Sequence, residues 1–197
     1  MIGIADPDQA ENALAAGALP CPRCGRPLRP WGHASTRTVR DHGLTTLTLR
    51  PRRARCRACR MTHVLLPAAL TVRPADTTAV IGSALVASAR GSGYRRIAAQ
   101  LDRPLSTVRR WIRAVRDPDH IEWLRAQGVG WLAQLDHDVL GGLRPEATRL
   151  GEALTALAAA AVTLRARVAP RVPAWTLIGQ ITRGRLLLGP SVPAAPG

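Results

Sequence analysis

Cys21-Pro22-Arg23-Cys24-Gly25 and, further along, Cys56-Arg57-Ala58-Cys59 decide how the first half of this chain is read. Two residues between cysteines let one tight turn present both sulfurs to a single ion, and Gly25 supplies the positive φ that such turns often need. Two turns of this kind brought together give tetrahedral thiolate coordination of Zn2+, with sulfur at about 2.3 Å. An iron–sulfur centre also takes thiolates, and disulfides or a redox pair are the other uses of paired cysteines. A closed set of four with no redox context favours zinc, held by Cys21, Cys24, Cys56 and Cys59. His33, His42 and His63 are then expected at the surface or in turns, because the cysteines already complete the ligand set.

The segment between the two pairs supports a ribbon. Leu44-Thr45-Thr46-Leu47-Thr48-Leu49 is partly alternating and reads as a strand, with Thr36–Arg40 as its partner and Asp41-His42-Gly43 as the turn. Residues 52–56 supply a third strand leading into the second cysteine turn. Residues 20–66 are therefore expected to form a zinc ribbon whose core is so small that the metal supplies most of its folding free energy. Residues 1–19 are expected to be helical or loose.

After Pro67 and Pro74 the pattern becomes helical. The spacing predicts a helix from about Thr77 to Arg90, capped by Asp76, with Val80, Ile81, Ala84, Leu85 and Ala87 inward. Gly91-Ser92-Gly93 ends it. A second helix runs from Tyr94 to Leu101, is broken by Asp102-Arg103-Pro104, and is followed by a third from Leu105 or Ser106 to about Arg116. Ile97, Ala98 and Leu101, then Val108, Trp111, Ile112 and Val115, face inward, and the small Ala98 lets the third helix pack closely. A short helix, a break of a few residues and another short helix form the unit that lays a recognition helix in the major groove. Residues 75–116 are accordingly expected to be a helix-turn-helix DNA-binding domain. Ser106, Thr107, Arg109, Arg110 and Arg113 point outward on the third helix, and Arg95 and Arg96 open the second, where backbone phosphate is met. Arginine reads guanine bidentately, and Ser or Thr contacts phosphate or base.

These residues carry a resemblance. Cys21–Gly25, Thr38-Val39-Arg40-Asp41 and Arg55–Cys59 resemble the N-terminal zinc-binding domain of bacterial insertion-sequence transposases. Tyr94-Arg95-Arg96-Ile97-Ala98 and Ser106-Thr107-Val108-Arg109-Arg110-Trp111 resemble the helix-turn-helix that those transposases and serine recombinases use on DNA. The likeness covers about residues 20–116, and it implies recognition of terminal inverted repeats by the two modules together. Full transposases of this type continue into a catalytic domain with an Asp-Asp-Glu triad. Asp136, Asp138, Glu146 and Glu152 have no buried-strand pattern to hold them, so no catalytic residue is carried over, and the chain is expected not to be an enzyme.

Residues 117–189 are expected to be a C-terminal helical region and 190–197 a loose tail. Pro118 to Gln127 reads as a short helix broken at Gly128-Val129-Gly130. A longer helix is expected from Pro145, with Glu146 near its start, to Val168. Leu150, Leu154, Leu157, Ala161 and Leu164 recur along it at helical spacing, either as core or as the face of a homodimer. Trp175 to Leu188 reads as another short helix, interrupted at Gly184. The fold class is thus mainly α with a small β zinc ribbon: an N-terminal ribbon, a helix-turn-helix bundle and C-terminal helices.

Composition narrows the function. Of 197 residues, 28 are basic and 13 acidic, for a formal charge of +15, and every basic one is Arg. Residues 21–60 carry 11 Arg against Asp41 alone, and residues 61–116 carry 9 Arg against two acids. So concentrated a field attracts polyanions, nucleic acid above all. The longest apolar stretch, Ala153–Leu164, is too short to span a bilayer, which needs about 20 residues. No export signal precedes the cysteines, so a cytoplasmic protein without membrane contact is expected. The expected function is zinc-dependent, sequence-specific binding of double-stranded DNA, transposase-like or in transcription regulation. The alternatives are the DNA-targeting subunit or remnant of a transposase that acts with a separate nuclease, and a helical protein-interaction adaptor.

Overall fold

A computed structural model describes residues 2–4, 7–72, 75–168 and 171–189. The tail expected to be loose at 190–197, and Pro74, lie outside the described residues. The molecule is mainly helical, with a small β region and a cluster of four cysteines.

The β region is built on alternation. In β5 (Arg52–Cys56), Ala54 and Cys56 are fully buried while Arg53 and Arg55 point the other way. β5 pairs antiparallel with β2 (Leu28–His33) on one side and with β6 (Thr62–Pro67) on the other. β1 (Ile2–Ile4) adds to β6 in parallel, so the sheet order is β1-β6-β5-β2. The helix α1 (Pro7–Ala16) lays Ala10 and Leu14 on this sheet, with Leu28, Ala54, Leu65, Cys21 and Cys56 in the same small core. The N-terminal residues therefore build one wall of the cysteine-bearing module. β3 (Arg37–Arg40) and β4 (Thr46–Leu49) form a separate hairpin around the turn at 41–45, as the alternation at 44–49 predicts. Residues 52–56 form the third strand, but its partners are β2 and β6 rather than the hairpin.

The helical part opens with α2 (Thr78–Ala89), α3 (Tyr94–Leu101) and α4 (Leu105–Ala114). Their inward sides meet in one core holding Ile81, Leu85, Ile97, Val108, Trp111 and Ile112. The expected cap at Asp76 is corrected by the structure. Thr77 is the N-cap, its hydroxyl accepting from the Val80 amide at 3.3 Å, while Asp76 is drawn into the interior by two arginines.

Two C-terminal expectations are also overturned. α5 (Pro118–Leu135) runs unbroken through Gly128 and Gly130. At Gly128 a Cβ would lie 2.6 Å from the Ala156 carbonyl carbon of α7 (Arg149–Val168), so the glycine lets two backbones touch and does not end a helix. α7 begins at Arg149, beyond Pro145 and Glu146. The Thr148 hydroxyl accepts from the Gly151 amide at 3.0 Å and starts the helix, and the Glu146 carboxylate instead accepts from Thr155 at 2.8 Å. Between α5 and α7 lies the short α6 (His137–Gly141). The Leu154–Leu164 stripe of α7 is buried inside the chain, where α7 packs on α5 and on α8 (Ala174–Ile181), the last described helix.

Candidate functional site

The two cysteine turns are near-copies. In the first, the Cys21 amide donates to the Arg26 carbonyl at 2.8 Å; in the second, the Cys56 amide donates to the Met61 carbonyl at 2.9 Å. The residue after the second cysteine of each turn is left-handed: Gly25 at φ 71°, and Arg60 at φ 58°. Between them the turns bring all four thiols together. Cys21 Sγ lies 3.7 Å from Cys59 Sγ, Cys24 Sγ lies 3.5 Å from Cys56 Sγ, and all four sulfurs fall within 4.8 Å of one another. All four are free thiols, and the cluster can hold a metal ion.

Electrostatics sets the four apart. The Cys59 amide, followed by the Cys24 thiol, stabilises negative charge on Cys56 against its burial and brings its pKa down to about 7. The Arg26 amide pulls Cys24 the same way, but the neighbouring thiols and burial outweigh it and push Cys24 up to about 11. One sulfur readily carries charge, and the next resists it. Four thiolates this close need a cation among them.

His63 corrects the expectation of a surface or turn histidine. It is buried in β6, with its Nε2 3.5 Å from Cys21 Sγ. Burial lowers its pKa, so the neutral ring can donate an N–H to that sulfur, the orienting role of a residue just outside a ligand set. His33 is exposed at the end of β2, and His42 lies in the hairpin turn, where its Nε2 is 3.2 Å from Ser83 Oγ of α2.

A buried ion cluster joins the hairpin to the helices. Asp76 and Arg103 are 2% and 3% exposed, and Arg103 Nε donates to the Asp76 carboxylate at 2.6 Å. Arg40 of β3 donates to the other carboxylate oxygen at 2.9 Å. The remaining nitrogens of Arg103 donate to the carbonyls of Asp41, Leu101 and Asp102. The Thr77 hydroxyl donates to Asp41, and the Thr77 amide donates to the Arg40 carbonyl across the same seam. Nothing local in the sequence signals this cluster: Asp76 reads as a cap and Arg103 as part of a helix break.

The expected nucleic-acid residues fall on one kind of surface. Val108, Trp111 and Ile112 of α4 are buried, while Ser106, Arg109, Arg110 and Arg113 are exposed and Thr107 is half-buried. Arg95 and Arg96 lie in the first turn of α3, and both are exposed. The α3–α4 turn that aims these side chains is the segment Arg103 anchors, and Arg116 beyond α4 bonds the Tyr94 hydroxyl of α3. None of these seven polar or cationic side chains is buried in the core.

No helix among the described residues is long and apolar enough to cross a membrane. Residues 21–111 match the family model of a domain of unknown function, DUF6431. The match starts at the first cysteine of the cluster and ends at Trp111 of α4, so it takes in both cysteine turns, the hairpin, α2, α3 and most of α4. No curated protein and no solved structure matches the chain.

Proposed function

We propose that this chain is a zinc-dependent, sequence-specific double-stranded DNA-binding protein, in which a zinc ribbon and a helix-turn-helix act as one unit. The observation that carries the reading is α4. Its apolar residues are spent on the core, and its outward side is Ser106, Thr107, Arg109, Arg110 and Arg113 with no acid among them. That is the composition of a helix that reads base edges and phosphates in a major groove. α3 is the supporting helix, and Arg95 and Arg96 contact the backbone.

Zinc suits the cysteine cluster. Sulfurs at about 2.3 Å from one ion stand about 3.8 Å apart at the corners of a regular tetrahedron, and the observed 3.5 and 3.7 Å separations are close to that. The ion would neutralise the thiolates and fix the small sheet that carries the two cysteine turns. Both modules falling within one family match supports their acting together. In this reading the chain is the DNA-recognition part of a transposase-like or regulatory protein, and no chemical step is assigned to it.

Selection of binding sites from random duplexes, with metal analysis of the same preparation, tests the proposal. One preferred sequence and one zinc per chain are expected, with binding that weakens steeply as salt rises. Arg109→Ala should cost about 1–3 kcal/mol and relax preference at one base step. Equal affinity for all duplexes would defeat the sequence-reading assignment, and a preparation that folds fully without metal would defeat the zinc assignment.

A further inference from the structure

The outer side of the β2–β5 ladder carries a feature that DNA reading by α4 leaves unused. Arg29 of β2 stands directly opposite Arg55 of β5, a pairing of like charges that destabilises a sheet. Next to it the β2 ladder is irregular between Pro30 and His33, with Gly32 at φ 77°. A bulge of this kind re-aims side chains, and Trp31 lies inside it. Trp31 is 49% exposed, and the Arg55 guanidinium lies 4.5 Å from its ring centroid.

These residues line a groove of about 280 Å³ with Pro30, Arg57 and Arg60, and no acidic side chain is among the lining residues. Arg60 adds a second anomaly. Its counterpart in the first cysteine turn is a relaxed glycine, yet here a left-handed backbone carries a full arginine. Such strain is retained where the side chain serves a purpose, and this side chain reaches the groove. Four guanidinium groups call for phosphates. A lone phosphate or a lipid headgroup would be met by the guanidiniums alone, whereas a half-exposed indole plane selects a flat partner.

We propose that this groove binds single-stranded DNA, with an unpaired base stacked on Trp31 and the flanking phosphates held by Arg29, Arg55, Arg57 and Arg60. Stacking on aromatic residues beside a cationic track is how single strands are held without sequence preference. The choice of DNA rests on the function proposed above, and the site itself is separate from α4. The ribbon thereby grips an unpaired end or a distorted step beside the duplex that α4 reads.

The test uses the full metal-loaded chain and labelled oligonucleotides followed by fluorescence anisotropy. A short oligothymidylate is compared with an abasic strand of equal length, which keeps the phosphates and removes the bases. The wild-type chain should bind the thymidylate about tenfold tighter. Trp31→Ala should erase that difference while leaving abasic binding intact, Trp31→Phe should retain most of it, and Arg109→Ala should not alter it. Equal binding of the two strands by the wild-type chain, or a difference that survives Trp31→Ala, overturns the proposal. Tighter binding of oligouridylate than of oligothymidylate overturns the assignment to DNA. Loss of duplex sequence preference with the thymidylate difference intact would count against the α4 reading alone.

Discussion

Arg103 gives up its water almost completely, and every nitrogen of its guanidinium meets an oxygen in return. A buried ion pair contributes little compared with well-packed apolar residues, but removing Arg103 leaves the buried Asp76 carboxylate with the partly exposed Arg40 alone and takes the donor from three carbonyls. Arg103→Met should therefore lower unfolding stability by about 3–5 kcal/mol in urea titration, and Arg103→Lys should fail to restore it because an ammonium cannot make the same fork. His120 titrates in the opposite sense to a paired group. It is 2% exposed at the start of α5, and its Nδ1 bonds the Ala114 carbonyl at 2.9 Å. Burial holds its pKa below the ordinary 6.5, against the pull of that carbonyl and of Asp117. The unfolded chain thus takes up the proton first. This contribution is fully present above about pH 6.5 and is lost as the pH falls below it. Urea midpoints across that range should drop more for the wild-type chain than for His120→Gln.

The glycines of α5 separate two meanings of one residue type. Gly128→Ala forces a methyl against the α7 backbone and should destabilise by about 1–3 kcal/mol. Gly130→Ala enters open space and should stabilise by roughly 0.5–1 kcal/mol through helix propensity. Paired thermal melts of the two variants check both signs. The same pair shows what a sequence does and does not reveal. The cysteine turns, the β3–β4 hairpin and the bounds of α3 are legible because spacing, turn residues and periodicity are local signals. Gly128 reads as a break because a missing side chain does not say what it makes room for. β1 and β6 are hidden because β1 is short and the two that pair lie far apart along the chain. Asp76, Arg103 and His63 are hidden for the same reason: their roles depend on neighbours that only the tertiary fold supplies.

At the scale of the whole molecule, the two larger cores among the described residues differ in what they bury. One, around Leu14, Leu28 and Leu65, buries two of the cysteines; the other, around Leu85, Trp111 and Leu157, includes none. Chelation of the proposed zinc should therefore abolish amide-exchange protection in β2 and β5 while most of the helical circular dichroism survives. Loss of the helical signal in step with the metal would mean that the cores unfold as one.

The seam between β1 and α8 carries a consequence for the architecture as a whole. Gly3 sits against the backbone of Arg183 and Gly184, and Val72 donates to the Gly184 carbonyl at 3.0 Å. Segments remote in the chain thus meet in space, and the described residues close into something like a ring. A circular permutant with its new termini at Leu44, on the tip of the hairpin and almost wholly in solvent, would keep every core contact described above.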